Sequence, residues 1–385
     1  MLKFIYNLVK SIGSGAKVAT LEVYEWNEYD VKKKKLANNT QWGNVAVQHG
    51  NLEFKLLSLA HAIIKTDFLI QRNLNFYGIA FLMSSHELIK ISKNGNLRLI
   101  DDIDGFLNDV TLTSFIGRLG QGITLLIAHR LGYSYVGHLA SDAKIKSAIA
   151  SSARGNGTKK EKIADFIFEN NNKDRTIIES KCSYSIQDFS PSDIKRILKP
   201  ALNEQVNPWV NNKIANITNG YVVHSALRSI GQTNNSAITY VDPPANVNIP
   251  DFDFPIEWVK AKNYAAWLSF CGFHEMASGL FSDIKANLHL VNLKVISICD
   301  CDFAILNSSH CTSGKAMLAG IDVKIMLALA DYCKDDSRLL NSYEGVNINI
   351  VEQVGETISI FPDGTLLGMI DNSQFPVRDQ SFWVL

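Results

Sequence analysis

The sequence predicts an α/β protein whose sheet is built largely from the middle of the chain. Apolar residues recur at three- and four-residue steps from Thr113 to about residue 130, as in an amphipathic helix. Residues 163–168 and 175–181 are short β-type runs joined by a polar five-residue turn, which indicates a hairpin. Ser190 then begins a second helix, because serine, proline and aspartate fill its first positions.

Further strand patterns lie before and after these elements. Residues 133–139 have β-type composition, and residues 220–226 and 237–241 repeat it after the second helix. Pro200 and Pro208 should kink or divide that helix, since proline lacks a backbone N–H and clashes with an earlier carbonyl. Towards the C-terminus the patterns predict a strand over 293–306, a helix over 316–332 and a hairpin over 346–369 that turns at residues 361–364.

Length and composition are those of an ordinary globular protein. The chain has 385 residues, of which 46% are hydrophobic and 20% are charged, and this length suggests about two to three domains. Lysine and arginine together number 38, as do aspartate and glutamate, so the formal net charge is zero. A nucleic-acid ligand would therefore be held by a local basic patch, because the field of the whole molecule offers no attraction.

The same composition bears on location. The apolar run at residues 4–9 is too short for a secretory signal, and no run of about 18 apolar residues is found, so no membrane partner is expected. The six cysteines include no C-x-x-C pair and are expected to be reduced thiols of a cytoplasmic protein. A zinc site at Cys299, Cys301, His310 and Cys311 is conceivable, but the strand-like run favours buried thiols.

Three charged side chains stand among the apolar residues of the hairpin. Successive side chains of a strand point to opposite faces, so Glu179 and Lys181 share one face and Ser180 lies on the other. Asp165, from the first run of the hairpin, can reach the same patch. Two carboxylates in a half-buried place repel each other unless a divalent cation neutralises them. The alternative is a surface hairpin whose Glu179 and Lys181 lie on a solvated face.

The chemistry of these three side chains indicates phosphodiester hydrolysis. Carboxylate ligands such as Asp165 and Glu179 suit Mg²⁺, with Mn²⁺ as a substitute, and Mg²⁺ keeps several waters from which a nucleophile can come. Lys181 would lie beside that water, orient it or take part in proton transfer, and stabilise charge on a phosphate. We therefore predict Asp165 and Glu179 as metal ligands, and these two with Lys181 as the catalytic residues.

The hairpin also resembles that of a known superfamily. The strings I-A-D-F-I-F and T-I-I-E-S-K-C-S look like the active-site hairpin of the PD-(D/E)xK nucleases, which include many restriction endonucleases and DNA-repair nucleases. The likeness covers residues 112–242, and Ala164 stands where the family name has proline. It implies a restriction-endonuclease-like αβββαβ core with a mixed sheet at residues 111–245. N-terminal and C-terminal α+β modules, residues 1–110 and 246–385, would flank it, the first of unassigned role and the second suited to partner or substrate binding.

The resemblance further implies a substrate and additional site residues. Most relatives cut DNA, which favours a DNA endonuclease in prokaryotic restriction, antiviral defence or repair. RecB-like members place a glutamine in the helix after the motif and a tyrosine four residues later, and Gln205 with Trp209 is a loose match. Some members take another carboxylate ligand from the opening helix, where this chain has Gln121, so a third carboxylate is not expected.

Basic residues gather before the hairpin, in a segment rich in serine and glycine. Arg154, Lys159, Lys160 and Lys162 lie between residues 151 and 162, and the composition favours a flexible loop. Such a loop next to Asp165 would bring positive charge to a scissile phosphate. We predict that these four residues and Gln205 contact nucleic acid; an ordinary solvated loop is the alternative.

Three questions stay open at this point. The hairpin indicates metal and phosphate but says nothing about a 2′-hydroxyl, so RNA is an alternative substrate, as for an RNA-cleaving toxin. A non-cleaving subunit that keeps the nuclease fold to bind nucleic acid or a protein partner is the alternative from another class. A homodimer and a defence-system partner protein are both compatible with the sequence.

Overall fold

The computed structural model describes residues 17–37, 40–67, 87–139, 163–184, 189–212, 217–242, 257–280, 289–298, 300–310, 315–334, 358–371 and 377–384. The strands within these ranges are β1 (Val18–Asn27), β2 (Ala46–Lys55), β3 (Ile89–Ile91), β4 (Leu97–Leu99), β5 (Tyr135–His138), β6 (Phe166–Glu169), β7 (Arg175–Tyr184), β8 (Ile217–Leu227), β9 (Ala237–Asp242), β10 (His289–Ile298), β11 (Cys301–His310), β12 (Lys315–Asp322), β13 (Ile358–Ile360), β14 (Thr365–Asp371) and β15 (Val377–Val384). The helices are α1 (Glu28–Lys32), α2 (Leu56–Asp67), α3 (Ile103–Phe106), α4 (Asp109–Arg130), α5 (Pro191–Ala201), α6 (Asn207–Asn212), α7 (Trp258–Phe270), α8 (His274–Gly279) and α9 (Val323–Lys334), with a 3₁₀ turn at Trp42–Asn44 and a π-helical turn at Leu202–Val206.

The chain forms two compact units, and both are assembled from separate stretches of sequence. The large-sheet unit comprises Val18–Phe54 and Ser85–Pro255, and the small-sheet unit comprises Met1–Lys17, Lys55–Ser84 and Ile256–Leu385. We expected three modules that follow one another along the chain, with a boundary near residue 110. Neither of the two units has a boundary there. The N-terminal strands β1 and β2 pair into the same sheet as the hairpin, so they cannot form a module of their own.

The large-sheet unit is built on a mixed sheet of seven strands in the order β2-β1-β9-β8-β7-β6-β5. The pairs β1 with β9 and β7 with β8 are parallel, whereas β5 with β6, β6 with β7 and β8 with β9 are antiparallel. Strands β3 and β4 form a separate two-stranded sheet. The predicted α/β class with a mixed sheet is therefore confirmed.

Helix α4 packs along one face of β7. A Cβ atom at Gly120 would stand 2.3 Å from the Cys182 Cβ, and Thr124 Oγ1 lies 2.8 Å from Ser180 Oγ. Ser180 and Cys182 are two residues apart on β7 and therefore lie on the same face, whereas Glu179 lies on the other face. Helix α4 thus covers the face opposite to Glu179. By length and composition alone α4 could also cross a membrane, although 56% of its apolar 18-residue stretch is buried inside the protein.

The close approach of α4 to β7 can be tested at Gly120. We expect Gly120→Ala to destabilise the large-sheet unit by about 1 to 3 kcal/mol, because the added methyl forces the helix and strand apart. Gly117→Ala is the matched control in the same helix, since a Cβ there meets nothing within 4 Å. That control should stabilise the helix by up to about 1 kcal/mol. Urea midpoints measure both variants, and equal midpoints for the two would contradict the observed packing.

The helix after β7 begins where its sequence signal lies and then widens. Ser190 and Asp193 form a capping box, in which the Ser190 hydroxyl accepts from the Asp193 N–H at 3.3 Å and the Asp193 carboxylate accepts from the Ser190 N–H at 3.1 Å. At Leu202–Val206 the chain forms a π-helical turn, and the Asn207 N–H bonds the carbonyl five residues earlier. Pro208 favours this widening, because its ring clashes with the carbonyl four residues earlier in a regular α-helix. Pro200 lies inside α5, and the division that the prolines predict takes the form of the π-helical turn between Pro200 and Pro208.

The small-sheet unit is built on an antiparallel sheet in the order β13-β14-β12-β11-β10-β15. The turn predicted at residues 361–364 is confirmed between β13 and β14, and residues 346–357 of the predicted hairpin lie outside the described ranges. The predicted strand over 293–306 is instead the hairpin of β10 and β11. The predicted helix over 316–332 is wrong in its first half, where β12 lies. All described side chains of β12 are buried, so its apolar run shows no alternation.

A buried ion pair joins α2 to the turn between β13 and β14. The side chains of Lys65 and Asp363 are both 0% exposed and form a salt bridge. Asn263 Nδ2 donates to Asp363 Oδ2 at 2.6 Å, and Thr365 Oγ1 donates to Asp363 Oδ1 at 2.7 Å. Burial alone would raise the pKa of Asp363, but Lys65, Asn263 and Thr365 hold it at about 2. The turn is thus fixed to the helices by one charged group.

Candidate active site

The β6–β7 hairpin forms as the sequence predicts. β6 ends at Glu169 and β7 begins at Arg175, which confirms the five-residue loop, and these two end residues form a buried ion pair at 2.8 Å. β6 begins at Phe166 rather than at residue 163, so Asp165 stands directly before the strand. In the antiparallel register of the hairpin this position lies next to Glu179.

Reciprocal hydrogen bonds hold Asp165 and Glu179 together. The Asp165 backbone N–H donates to Glu179 Oε2 at 3.1 Å, and the Ser180 N–H donates to Asp165 Oδ2 at 3.1 Å. Each carboxylate therefore accepts from the backbone at or next to the other, and neither can turn away without losing a bond. The two carboxyl groups share one corner of the sheet, where β6 begins.

Two further side chains meet Glu179. Lys181 Nζ donates to Glu179 Oε1, and Gln205 Nε2 donates to the same oxygen at 2.6 Å. The Glu179 side chain is 1% exposed and that of Lys181 is 34% exposed, so the carboxylate lies inside and the ammonium lies at the open side. This burial excludes the solvated-face alternative for Glu179. Four of the predicted residues, Asp165, Glu179, Lys181 and Gln205, thus form one hydrogen-bonded cluster, which we call the acidic cluster.

Burial makes both carboxyl groups of the acidic cluster weak acids. Burial raises the pKa of Asp165, although the Ser180 N–H and Lys181 act in the opposite direction. Burial raises the pKa of Glu179 to about 7, the Asp165 carboxylate adds to the rise, and Lys181 opposes it. One partly exposed ammonium therefore does not compensate two buried carboxylates, and further positive charge would be needed to keep both ionised.

The raised pKa of Glu179 has a measurable consequence for stability. The folded protein holds a proton on Glu179 up to pH of about 7, whereas the unfolded chain loses it near its ordinary value of about 4.3. More protons are bound in the folded state across this window, so the free energy of unfolding should fall as pH rises through it. Urea midpoints in EDTA from pH 4 to 8 measure this slope. Glu179→Gln should flatten it, and identical slopes for both proteins would contradict the buried titration.

Gln205 reaches Glu179 from the π-helical turn. Turns of this kind are frequent at functional sites, because the extra residue redirects side chains. Gly220 of β8 permits the close packing of the turn, since a Cβ there would lie 2.6 Å from Val206 Cγ1. Trp209, the second half of the loose sequence match, is 2% exposed and belongs to the core.

Of the other predicted residues, only Gln121 is described, and it does not join the acidic cluster. Gln121 lies on α4, which covers the opposite face of β7. The four basic residues Arg154, Lys159, Lys160 and Lys162 lie outside the described residues, so their predicted contact with nucleic acid stays a prediction.

Two polar residues next to the acidic cluster were missed by the sequence analysis. Ser183 follows Lys181 on the same face of β7, and its Oγ lies 2.6 Å from His224 Nε2. His224 is the residue of β8 that pairs with Lys181 in the parallel register. The alternation of β7 could have placed Ser183 on this face. The position of His224 next to Lys181 could not have been predicted, because the sequence of neither strand alone determines the β7–β8 register.

The donor set of the acidic cluster fits Mg²⁺. No described residue donates a hydrogen bond to Asp165 Oδ1, which leaves that oxygen for a cation. Mg²⁺ is commonly bound through one or two carboxylates and keeps several waters. The described residues contain no group of three or more His, Cys, Asp or Glu that could hold a metal, so a closed structural zinc site does not fit here. Of the conceivable zinc ligands, Cys301 forms no disulfide, and Cys299 and Cys311 lie outside the described ranges.

Comparison of the chain with protein-family models, with curated proteins and with solved structures gave no match. What this protein does must therefore be inferred from the residues of the acidic cluster and the elements that hold them.

Proposed function

We propose that this chain is a metal-dependent endonuclease that hydrolyses phosphodiester bonds, with DNA as the favoured substrate. The observation that carries the proposal is the hydrogen-bonded group of Asp165, Glu179 and Lys181, in which the carboxylates are buried and the ammonium is partly exposed to solvent. A structural ion pair needs one carboxylate for one ammonium. The second buried carboxylate raises the cost of the arrangement, and a cation-binding catalytic site accounts for it.

The surrounding elements support a restriction-endonuclease-like core. α4, β5, β6, β7, α5 and β8 occur along the chain in αβββαβ order, with the π-helical turn and the short helix α6 between α5 and β8. β5, β6 and β7 are antiparallel neighbours, and β8 is parallel to β7. Helices lie on both faces of β7, since α4 contacts Ser180 and the π-helical turn contacts Glu179. This is the arrangement that the likeness of the hairpin to PD-(D/E)xK nucleases implies.

Asp165 and Glu179 are the residues that would hold Mg²⁺, together with main-chain carbonyl and water. When bound, the ion supplies positive charge that neutralises the two carboxylates and lowers the pKa of water near the phosphate. Mn²⁺ accepts the same oxygen ligands and is expected to substitute.

Lys181 is the residue that faces the substrate. Its ammonium is bonded to Glu179 and remains 34% exposed, so it is both held in place and accessible. A fixed ammonium at this point orients the attacking water and stabilises the charge that develops on the phosphate. The Glu179 carboxylate thus has two uses, as cation ligand and as anchor for Lys181.

Gln205 is a positioning residue that acts through Glu179. We expect Gln205→Leu to lower metal affinity and cleavage by about 10- to 100-fold, the usual cost of losing a side chain that orients a ligand. Asn203→Leu on the same π-helical turn is the control, since Asn203 is exposed. The two variants are compared by Mn²⁺ titration and by initial cleavage rates. Equal losses in both would show that the turn matters only as structure.

The setting follows from the hairpin resemblance alone. Prokaryotic restriction, antiviral defence or DNA repair, in the cytoplasm, is the proposed context. The formal net charge of zero means that the DNA must be held by local positive charge, and Lys181 is one described source of it. A homodimer or a defence-system partner protein would complete a double-strand cut.

Cleavage assays with plasmid, single-stranded DNA and RNA test the proposed function. Wild-type protein should cut DNA with Mg²⁺ and not in EDTA, and Lys181→Met should cut at least about a hundredfold more slowly. Lys199→Met, at an exposed lysine of α5, is the control and should cut normally. Cleavage of RNA alone would change the substrate class. If wild type and Lys181→Met bind DNA equally well and neither cleaves it, a non-cleaving subunit would be favoured instead.

A further inference from the structure

A buried histidine lies next to the acidic cluster and is hydrogen-bonded to Ser183. His224 is 0% exposed, and its Nε2 lies 2.6 Å from Ser183 Oγ. Its Nδ1 is buried and has no hydrogen-bond partner among the described residues. Phe189 packs edge-on against the ring, with 6.1 Å between the ring centroids. Among the residues that the structure describes, one ring nitrogen therefore has a polar partner and the other has none.

The unpartnered nitrogen determines the tautomer of His224. A proton on Nδ1 would be a buried N–H donor without an acceptor, and such donors are rare because they are costly. An unprotonated Nδ1 needs no acceptor. The charged imidazolium is also disfavoured, since burial lowers the pKa of His224 to about 3. The neutral ring with its single proton on Nε2 is therefore the form that these surroundings favour.

This tautomer fixes the role of the Ser183 hydroxyl. Ser183 Oγ and His224 Nε2 lie 2.6 Å apart. With the ring proton on Nε2, the N–H is the donor of this bond and the serine oxygen is the acceptor, so the hydroxyl hydrogen is left to donate elsewhere. Ser183 is partly exposed and lies two residues beyond Lys181 on the same face of β7. Two residues of a strand span about 7 Å, which is comparable to the spacing of successive phosphates in an extended nucleic-acid strand.

We propose that Ser183 donates a hydrogen bond to the phosphate next to the one at Lys181, and that His224 is the positioning residue that keeps its hydroxyl a donor. This inference rests on the proposed function and names a second contact for the same substrate strand. In this arrangement one face of β7 contacts two successive phosphates, the first through the Lys181 ammonium and the second through the Ser183 hydroxyl. Hydroxyl donors of this kind contribute to register without reading sequence.

A nucleophilic serine is the competing interpretation of the same pair, and the geometry disfavours it. A serine nucleophile needs the histidine nitrogen as acceptor and base, with the other ring N–H oriented by a third group. Here no described residue bonds Nδ1. The lowered pKa of His224 also makes the neutral ring a weak base.

The tautomer can be tested on the protein without any substrate. Nitrogen-15 NMR of labelled histidine, assigned by comparison with His224→Gln, reports which ring nitrogen carries the proton. We expect the Nε2–H form, with no titration between pH 5.5 and 8. An Nδ1–H ring, or an imidazolium in that range, would overturn the inference.

The phosphate contact can be tested by binding. The probe is a labelled single-stranded DNA dodecamer, with Ca²⁺ in place of Mg²⁺ so that the substrate stays intact. Ser183→Ala should weaken binding by about tenfold, because a hydrogen bond to a charged oxygen is lost. Ser183→Thr keeps the hydroxyl and should bind like wild type. His224→Leu should resemble Ser183→Ala, and His224→Gln, which retains an N–H donor, should restore most of the affinity.

A set of dodecamers with one methylphosphonate each locates the contact. One substitution should weaken binding by wild type but not by Ser183→Ala, since the charged oxygen and the hydroxyl act as a pair. Equal affinity of Ser183→Ala and wild type would overturn the inference while Mg²⁺-dependent cleavage leaves the nuclease proposal standing. Tenfold weaker binding by Ser183→Ala in a protein that never cuts would keep the phosphate contact and reject the nuclease.

Discussion

Glu179→Gln should lower Mg²⁺-dependent cleavage by at least about a thousandfold without loss of stability. The amide removes the charge that would bind the cation and that anchors Lys181 Nζ. Losing a fixed charge next to the reacting phosphate costs on the order of 10²- to 10³-fold, and losing a metal ligand adds to it. Stability should be retained or raised, because burial disfavours the charged carboxylate, as the pKa of about 7 shows.

The pairing of these two outcomes separates a functional carboxylate from a structural one. A structural Glu179 would lose stability on substitution, since Gln205 and the Asp165 N–H both bond it. Initial cleavage rates and urea midpoints, measured on the same preparation, give the comparison. Glu169→Gln is a useful control on β6, because Glu169 is equally buried but pairs with Arg175 at the far end of the hairpin. It should lose stability and keep its rate when folded, and the reverse pattern would contradict the assignment.

The largest expected effect on stability lies in the small-sheet unit. Asp363→Ala should destabilise it by about 3 to 5 kcal/mol, because Lys65 is left as a buried ammonium without its carboxylate. Asn263 and Thr365 would lose their acceptor as well. The folded pKa of Asp363 is about 2, below its ordinary value. The pair's contribution is therefore present above pH of about 4 and is lost as pH falls towards 2.

A double variant provides the control for this ion pair. Lys65→Met with Asp363→Leu removes both charges and should recover much of the loss, since apolar replacements of buried pairs are often neutral. Hydrogen exchange of the β13–β14 amides, together with urea unfolding, measures each variant. If Asp363→Ala cost less than about 1 kcal/mol, the buried ion pair would not be what fixes the turn.

The parts of the fold that were predicted are those encoded over short stretches of chain. The hairpin loop at residues 170–174 follows from two β-type runs and a polar turn, and α5 begins directly after the capping serine Ser190. The proximity of Asp165, Glu179 and Lys181 was predicted because charges are rarely buried without a reason and because the period of a strand is two. These arguments need only residues within about twenty positions of one another.

The parts that were missed depend on pairing between distant segments. β1 pairs with β9, as Glu22 with Ala237, and nothing in residues 18–27 indicates that partner. His224 is next to Lys181 only through the β7–β8 register. β12 was predicted as helix because a strand buried on both faces has the same continuous apolar composition as a buried helix. Hydrophobic periodicity identifies a helix or strand when one of its faces is exposed to solvent. It does not distinguish the two when the element is buried on all sides.

The central claim is that Asp165 and Glu179 together bind the cation that phosphodiester cleavage requires. Diffraction from crystals soaked in Mn²⁺, collected at the manganese edge, tests it most directly. The expected result is one anomalous peak in contact with carboxylate oxygens of both Asp165 and Glu179, and its loss in Glu179→Gln crystals. A peak elsewhere with none at this pair, or a peak that persists unchanged in Glu179→Gln, would contradict the claim.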